Sequence, residues 1–401
     1  MAATLASLIE NRYGRTQVPI EVVLPDGGRV RLADAPDVQV IARTARGLAA
    51  LARPALGRLA QAYVRNDIDF NGNARRMLAV AERMVGDIRH GPSLTGRAKL
   101  WVHQRRANRR NIAHHYDVSN AFYRLWLDER MVYSCAYFGS ADDTLDAAQE
   151  AKLDLICRKL RLAPGERLLD VGCGWGGLIF HAAERYGVDA TGITLSRNQL
   201  EHVRGEIARR GLGGRVRAEL TDYRDLPGDA RYDKIASVGM FEHVGVARLP
   251  GYFAKLRDAL KPGGFVLNHG ITHNALHGES LGSGIGEFVE DYVFPGGELT
   301  HVSTVMRAMA QAGLEAFDAE ALREHYAKTL WHWTERLEAN AAAARAEVGE
   351  ERYRVWRIYM AGSAHAFERG WLSLWQVLGG KAHADGRLPH PLTREDFYRR
   401  P

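Results

Sequence analysis

Residues 168–177 read Leu168-Leu169-Asp170-Val171-Gly172-Cys173-Gly174-Trp175-Gly176-Gly177. An apolar run closes on an acid and passes at once into a glycine-dense turn. Glycines in such a turn allow positive φ and let the backbone come close to a ligand. In α/β sheets, the turn that follows the first parallel strand is a binding place for nucleotide-like cofactors. The spacing is GxGxGG, with the acid two residues before the first glycine. That pattern favours S-adenosylmethionine over a dinucleotide, whose pyrophosphate prefers GxGxxG at the opening of a helix.

Outward from this segment the chain alternates strand-like and helix-like runs. Strands are expected at 168–172, 189–193, 215–220, 234–238 and 265–268, with helices at 178–185 and 197–210. The alternation predicts a doubly wound, mostly parallel sheet. Ligands in such sheets sit beyond the carboxyl ends of the strands, so the residues there are the candidates for chemistry. They are Gly172 and Gly174 after the first strand, then Thr194 and Gln199 after the second. Asp222 follows the third, the run from Gly239 to Gly245 with Glu242 and His243 the fourth, and His269 with Ile271 the fifth. Thr194 stands where a ribose-binding acid is the usual choice. Asp222 and Tyr223 suit an adenine amino group and ring face. A carboxylate and an imidazole at neighbouring strand ends form the kind of pair that general acid–base work requires.

Composition bounds the rest. A chain of 401 residues with 46% hydrophobic content has enough apolar material for two or three domains. No apolar run approaches the roughly 20 residues that span a bilayer. Glu10 and Arg12 interrupt the opening segment where a signal peptide needs an apolar core. Three cysteines point to reduced thiols and a cytoplasmic protein. The net charge of +6 points to an anionic partner. Part of that charge is concentrated in Arg97, Lys99, Arg105, Arg106, Arg109 and Arg110, with Trp101 and Val102 interleaved and no acid among them. Such a stretch suits an anionic lipid surface and equally a solvated linker. It carries none of the motifs of a nucleic-acid-binding module.

Residues 1–90 read as a small mixed α/β domain that docks on lipid or a partner. Pro25-Asp26-Gly27-Gly28 turns a hairpin between the runs 20–24 and 30–32. Helical patterns are expected over 42–65 and 73–89. Residues 91–112 read as a basic linker, and 113–395 as the catalytic domain.

Several segments carry a family resemblance. They are His115-Tyr116-Asp117-Val118-Ser119-Asn120, Met131-Val132-Tyr133-Ser134-Cys135-Ala136-Tyr137-Phe138, the glycine segment and Gly192-Ile193-Thr194-Leu195-Ser196. Ser237-Val238-Gly239-Met240-Phe241-Glu242-His243-Val244-Gly245, Tyr292-Val293-Phe294-Pro295-Gly296-Gly297 and Leu372-Ser373-Leu374-Trp375-Gln376-Val377 continue the series in order. Over about residues 112–380 the chain resembles the cyclopropane-fatty-acyl-phospholipid synthases and the related mycolic acid cyclopropane synthases. The resemblance implies a class I methyltransferase-like fold with a helical lid. It also implies transfer of the methyl carbon of S-adenosylmethionine to a cis double bond of a phospholipid acyl chain, with bicarbonate as the base. By the same resemblance Cys135, Glu242, His269, Ile271 and Tyr326 hold the bicarbonate, Cys135 and Ile271 through backbone groups. Tyr116, Tyr133, Ser134, Gly172, Gly174, Thr194, Gln199 and Asp222 hold S-adenosylmethionine. The expected partner is unsaturated phospholipid, reached by peripheral association with the inner membrane; a homodimer is a further possibility and nucleic acid is not expected.

Taken singly, these residues also have structural explanations. A lone Cys135 is a small core residue, as Cys157 is in its helical run. Tyr326 falls in a helical run, 322–337, rich in aromatics that suit a core or an acyl-channel wall alike. His114-His115 lacks partners at metal-ligand spacing, and no metal site is expected. Residues 273–290 are long and glycine-rich, which leaves the acyl substrate and the product open. A related C-methyltransferase would share the cofactor site and leave a methyl or methylene branch.

Overall fold

Pro54 divides what the sequence pattern reads as one helical stretch. In the computed structural model, which describes residues 2–13, 18–86, 91–92, 118–276, 279–280, 284 and 298–398, the region folds as two helices. The described residues group into two compact units. The first is built from Met1–Arg97, Glu279–Pro295 and Leu330–Ala366, and the second from Ala98–Gly278, Gly296–Thr329 and Phe367–Pro401. A single cut in the chain does not separate them, and the expected linker falls almost entirely outside the described residues.

In the first unit, helix α1 (Ala2–Tyr13) precedes strands β1 (Ile20–Val23) and β2 (Arg29–Arg31), the expected hairpin around Gly27. Two strands that the sequence reading missed complete the sheet. They are β3 (Val38–Ala42), parallel to β1, and β4 (Ile68–Asn71), antiparallel to β3, in the order β2-β1-β3-β4. Helices α2 (Ala45–Ala52) and α3 (Leu56–Val64) lie between them in the chain, and α4 (Ala74–Val85) follows. Thr44 caps α2 by accepting from Gly47 N–H, and its hydroxyl donates to Asp67. The long helix Ala341–Glu368, broken at Gly349, brings two buried arginines to this sheet. Arg354 donates to the Tyr63 carbonyl at 3.0 Å and to Asp69 at 2.9 Å. Arg357 donates to the Tyr63 hydroxyl at 3.0 Å, to Glu338 at 2.7 Å and to the Gly72 carbonyl at 3.0 Å. Gly91–Pro92 pairs with Glu279–Ser280 in a two-residue antiparallel ladder.

The second unit is built on seven strands: β5 (Arg167–Val171), β6 (Asp189–Thr194), β7 (Val216–Leu220), β8 (Tyr232–Val238), β9 (Leu260–His273), β10 (Glu315–Ala321) and β11 (Leu372–Gly380). Their order is β10-β11-β9-β8-β5-β6-β7. The first five are parallel, as expected, and the reversal of order between β5 and β8 puts the glycine segment at the switch point of the sheet. The sequence reading did not place β10 and β11; β11 runs antiparallel between β9 and β10, and β10 at the edge has the same direction as the first five. Helices α5 (Asn120–Arg124), α6 (Leu145–Lys159), α7 (Gly177–Tyr186), α8 (Arg197–Arg210), α9 (Leu249–Ala259), α10 (Val302–Gln311) and α11 (Arg323–Ala339) surround the sheet in chain order. Two apolar layers sandwich it. One includes Leu153, Ile156, Phe180 and Leu200 from α6, α7 and α8, and the other Tyr252, Phe253, Leu256, Val305 and Met309 from α9 and α10. Among the described residues, no helix is long and apolar enough to cross a membrane.

Candidate active site

The turn after β5 depends on left-handed backbone. Gly172 and Gly174 have φ of 87° and 54°, values that side chains strongly disfavour. The N–H groups of Gly172 and Cys173 both donate to the Ile193 carbonyl at 3.0 Å, which fastens the turn to β6. Gly172, Gly174, Thr194 and Gln199 line one cavity together with Tyr133 and Ser134. Thr194 donates to the Gln199 side chain at 2.7 Å, so the position where a ribose-binding acid is usual is occupied by a hydroxyl–amide pair. Thr221 and Tyr223 wall the cavity after β7. Asp222 lies between them in the chain and is held by Arg224, whose guanidinium donates to both its oxygens at 2.8 and 2.5 Å. Tyr116, the remaining expected cofactor residue, lies outside the described residues.

The walls are mixed in a way that suits a cofactor with an aromatic base, a sugar and an amino-acid tail. Tyr133, Trp175, Leu178, Ile193 and Met240 supply apolar and aromatic surface. Trp175 is fixed by its N–H to Asn120 at 2.7 Å and packs 4.6 Å from Tyr123. A second set of walls is charged: Asp170 and Lys152. The Lys152 ammonium donates to the Ser134 hydroxyl at 2.7 Å. Burial lowers its pKa to about 8, against the pull of Asp128. Burial pushes Asp170 up to about 7, with Lys152 opposing the rise. Asp170 Oδ1 is buried with no hydrogen-bond partner among the described residues.

Lys152 was not among the expected site residues. Its signal was there: Leu145, Ala148, Gln149, Lys152, Ile156 and Lys159 recur at helical spacing, and all six are buried. A lysine on the buried face of a helix is uncommon and points to a partner or a site.

The proposed base-holding residues come from four elements. Glu242 sits in the short helical turn Phe241–His243 after β8, buried, with Oε1 accepting from Ile271 N–H at 2.7 Å. Gly270 makes this approach possible, because a Cβ there would stand 2.1 Å from the Phe241 ring and 2.9 Å from Glu242 Oε1. Glu298 secures the turn from outside: its carboxylate accepts from Val246 N–H at 2.8 Å and its N–H donates to the Glu242 carbonyl. The second carboxylate oxygen, Oε2, has no partner among the described residues. Burial pushes Glu242 up to about 7, with the Ile271 N–H opposing the rise. The neighbouring His243 is driven by burial to about 4, so it is neutral, and it lines the cofactor cavity.

His269 is also buried, 1% exposed, on β9 two residues before Ile271. Burial holds its imidazole well below the usual range, and the charges of Lys152 and Lys159 act in the same direction. Its Nε2 has no partner among the described residues. Cys135 is fully buried, and burial pushes its thiol up, so it is neither a thiolate nor a nucleophile. Its segment docks along the start of α11. Cys135 Sγ lies 3.8 Å from the Leu322 carbonyl, while Ala136 and Phe138 N–H donate to Thr329 and His325, each at 3.0 Å. Tyr326 belongs to the same turns, buried and packed 4.8 Å from the Phe367 ring. Of the Ile271 backbone groups, the N–H is engaged by Glu242.

Residues 103–377 match the family of mycolic acid cyclopropane synthetases. A probable fatty acid methyltransferase of Pseudomonas putida is 46% identical over 386 residues, covering 95% of this chain and 97% of its own. A tuberculostearic acid methyltransferase of Mycobacterium tuberculosis is 32% identical over 403 residues, covering 93% and 91%. Among solved structures, mycolic acid cyclopropane synthase CmaA1 complexed with SAH and CTAB superposes with a TM-score of 0.65 at 37% identity, over 68% of this chain and 98% of that one. The chain belongs to the mycolic acid cyclopropane synthetase family, built on the class I fold of S-adenosylmethionine-dependent methyltransferases.

Proposed function

We propose that the protein transfers the methyl carbon of S-adenosylmethionine to the cis double bond of unsaturated acyl chains in phospholipids and closes a cyclopropane ring, with bicarbonate as the base. The observation that carries this reading is a pair of buried polar atoms without a partner among the described residues: Glu242 Oε2, just beyond β8, and His269 Nε2, on β9 opposite Val238, the last residue of β8 and part of the cofactor cavity wall. Left dry and unmatched, each is costly. A small anion able both to donate and to accept would satisfy them.

S-adenosylmethionine supplies an electrophilic methyl group when bound. The residues of the chain then have three tasks. Gly172, Gly174, Thr194, Gln199, Tyr133 and Ser134 position the cofactor, which matters because an alkene is a poor nucleophile and needs close, in-line approach. Lys152 supplies a positive charge against which a carboxylate tail can rest. The aromatic walls and buried β9 exclude water, which would otherwise capture a cationic centre on the acyl chain. Glu242, His269 and Tyr326, with backbone groups of Cys135, are the residues that would hold bicarbonate, which supplies the base for the proton lost on ring closure. Glu242 Oε2 would accept from its hydroxyl, while His269 and Tyr326 would donate to its oxygens.

A second reading has a specific observation in its favour. The two relatives above are named a probable fatty acid methyltransferase and a tuberculostearic acid methyltransferase, and a methyl or methylene branch needs the same cofactor site with a different fate for the cation. Incubation with S-adenosylmethionine and vesicles of unsaturated phospholipid, followed by proton NMR of the lipid, separates the two. Upfield ring protons are expected; methyl or vinylic signals without them would replace cyclopropanation by branching.

A further inference from the structure

The tautomer of His269 is set from behind. His269 on β9 faces Gln376 on β11 across an antiparallel pair, and Gln376 in turn faces Glu320 on β10. Directly opposed residues share a sheet face and stand close enough to bond. Lys159, on the buried face of α6, reaches this row with a side chain that is 0% exposed. Its ammonium donates to the Gln376 Oε1 at 2.8 Å and to the Glu320 carboxylate at 2.5 Å. Gln376, also 0% exposed, has its Nε2 at 3.2 Å from His269 Nδ1.

The direction of each bond follows from what the groups are able to do. An ammonium only donates. The Gln376 atom facing Lys159 must therefore be its oxygen, which turns its NH₂ toward His269. An amide NH₂ only donates as well, so Nδ1 of the imidazole must accept. In a neutral imidazole that leaves the proton on Nε2. Nε2 is the buried atom with no partner among the described residues, so the relay ends in a donor that none of them receives.

We infer that Gln376, oriented by Lys159, is a positioning residue that fixes His269 as its Nε2–H tautomer and so presents a hydrogen-bond donor to the bound anion. Burial lowers the pKa of Lys159, and Glu320, paired with the ammonium from the far side, opposes that fall. The inference rests on the reading of His269 as part of the reacting site, and the two are separable by experiment.

The direct test is ¹⁵N NMR of histidine-labelled full-length protein, with His269 assigned by the signal lost in His269→Gln. The wild type should show a protonated Nε2 and an unprotonated Nδ1; the reverse pattern would overturn the inference without any variant. Gln376→Glu keeps the shape and the Lys159 contact but offers His269 only an acceptor. It should move the proton to Nδ1 and lower turnover by about 10²-fold, the usual cost of one positioned donor, with S-adenosylmethionine affinity unchanged. An unmoved proton in that variant would remove Gln376 from the role. A moved proton with wild-type turnover would leave the relay standing and overturn the reading of His269 as a donor in the site.

Discussion

Two regions of this molecule bury charge, and they do so in opposite ways. In the first unit, Arg354 and Arg357 are almost sealed from solvent, yet each is met by carboxylates, carbonyls and aromatic faces. Arg354 lies over Tyr63 and Arg357 over Phe70, at 4.7 and 4.3 Å. At the strand ends of the second unit, Asp170, Glu242 and His269 are buried to a similar degree. Each of these keeps one polar atom without a partner among the described residues. A matched buried charge holds elements together, whereas an unmatched one is tolerated where a ligand completes it.

The comparison predicts that the two regions respond differently to substitution. Arg357→Met removes the donor to the Tyr63 hydroxyl and the Gly72 carbonyl and leaves Glu338 with the Ala74 N–H in place of a charged partner. It should cost about 3 kcal/mol of stability, read by denaturant unfolding, while turnover per folded molecule stays near wild type. A large loss of turnover in the folded variant would break the distinction.

Glu242→Gln should have the opposite effect on stability, and the sign follows from its titration. The folded pKa, about 7, lies above the ordinary 4.5. The native state therefore holds the proton more tightly, and stability is lost as pH rises from about 4.5 to about 7. Glutamine carries no such dependence. The variant should gain on the wild type by on the order of 3 kcal/mol between pH 5 and pH 8, seen as a pH-dependent difference in melting temperature. A constant difference across that range would show that Glu242 carries no burial penalty.

Smaller effects sharpen the picture further. Lys152→Met should weaken S-adenosylmethionine binding by about tenfold, or about 1.4 kcal/mol, measured by calorimetry; unchanged affinity would reduce Lys152 to a prop for Ser134. Replacing Arg105, Arg106, Arg109 and Arg110 by Gln should weaken binding to anionic vesicles severalfold at low salt and less at high salt. Equal binding in both proteins would make that stretch a plain connector.

Much of the second unit was legible in the residues. Glycines at 172 and 174 announce a left-handed turn, and the runs around 168, 189, 216, 234 and 265 fall on observed parallel strands. The helix over 197–210 has the expected bounds. Edge strands were harder. Glu315–Ala321 reads EAFDAEA, whose alanines and acids favour a helix, and pairing with β11 overrides that preference. In the first unit, Ile68–Asn71 is too short to show a period, and Pro54 interrupts a helical pattern that the sequence otherwise continues. Candidate site residues were legible as strand-end positions and, beyond that, only through family resemblance. The two lysines of α6 were not, because a lysine at a core position looks like an irregularity until the fold shows what it reaches. Nor does a sequence reveal that Ile271 N–H is already taken by Glu242.

The central claim is that the unmatched atoms at the strand ends serve the reaction and not the fold. Glu242→Gln tests it most directly, in one preparation assayed for S-adenosylmethionine affinity and for turnover on unsaturated phospholipid vesicles. The account predicts affinity within about twofold of wild type and turnover lowered by about 10²-fold or more. Near-wild-type turnover, with the cofactor bound as before, would contradict it.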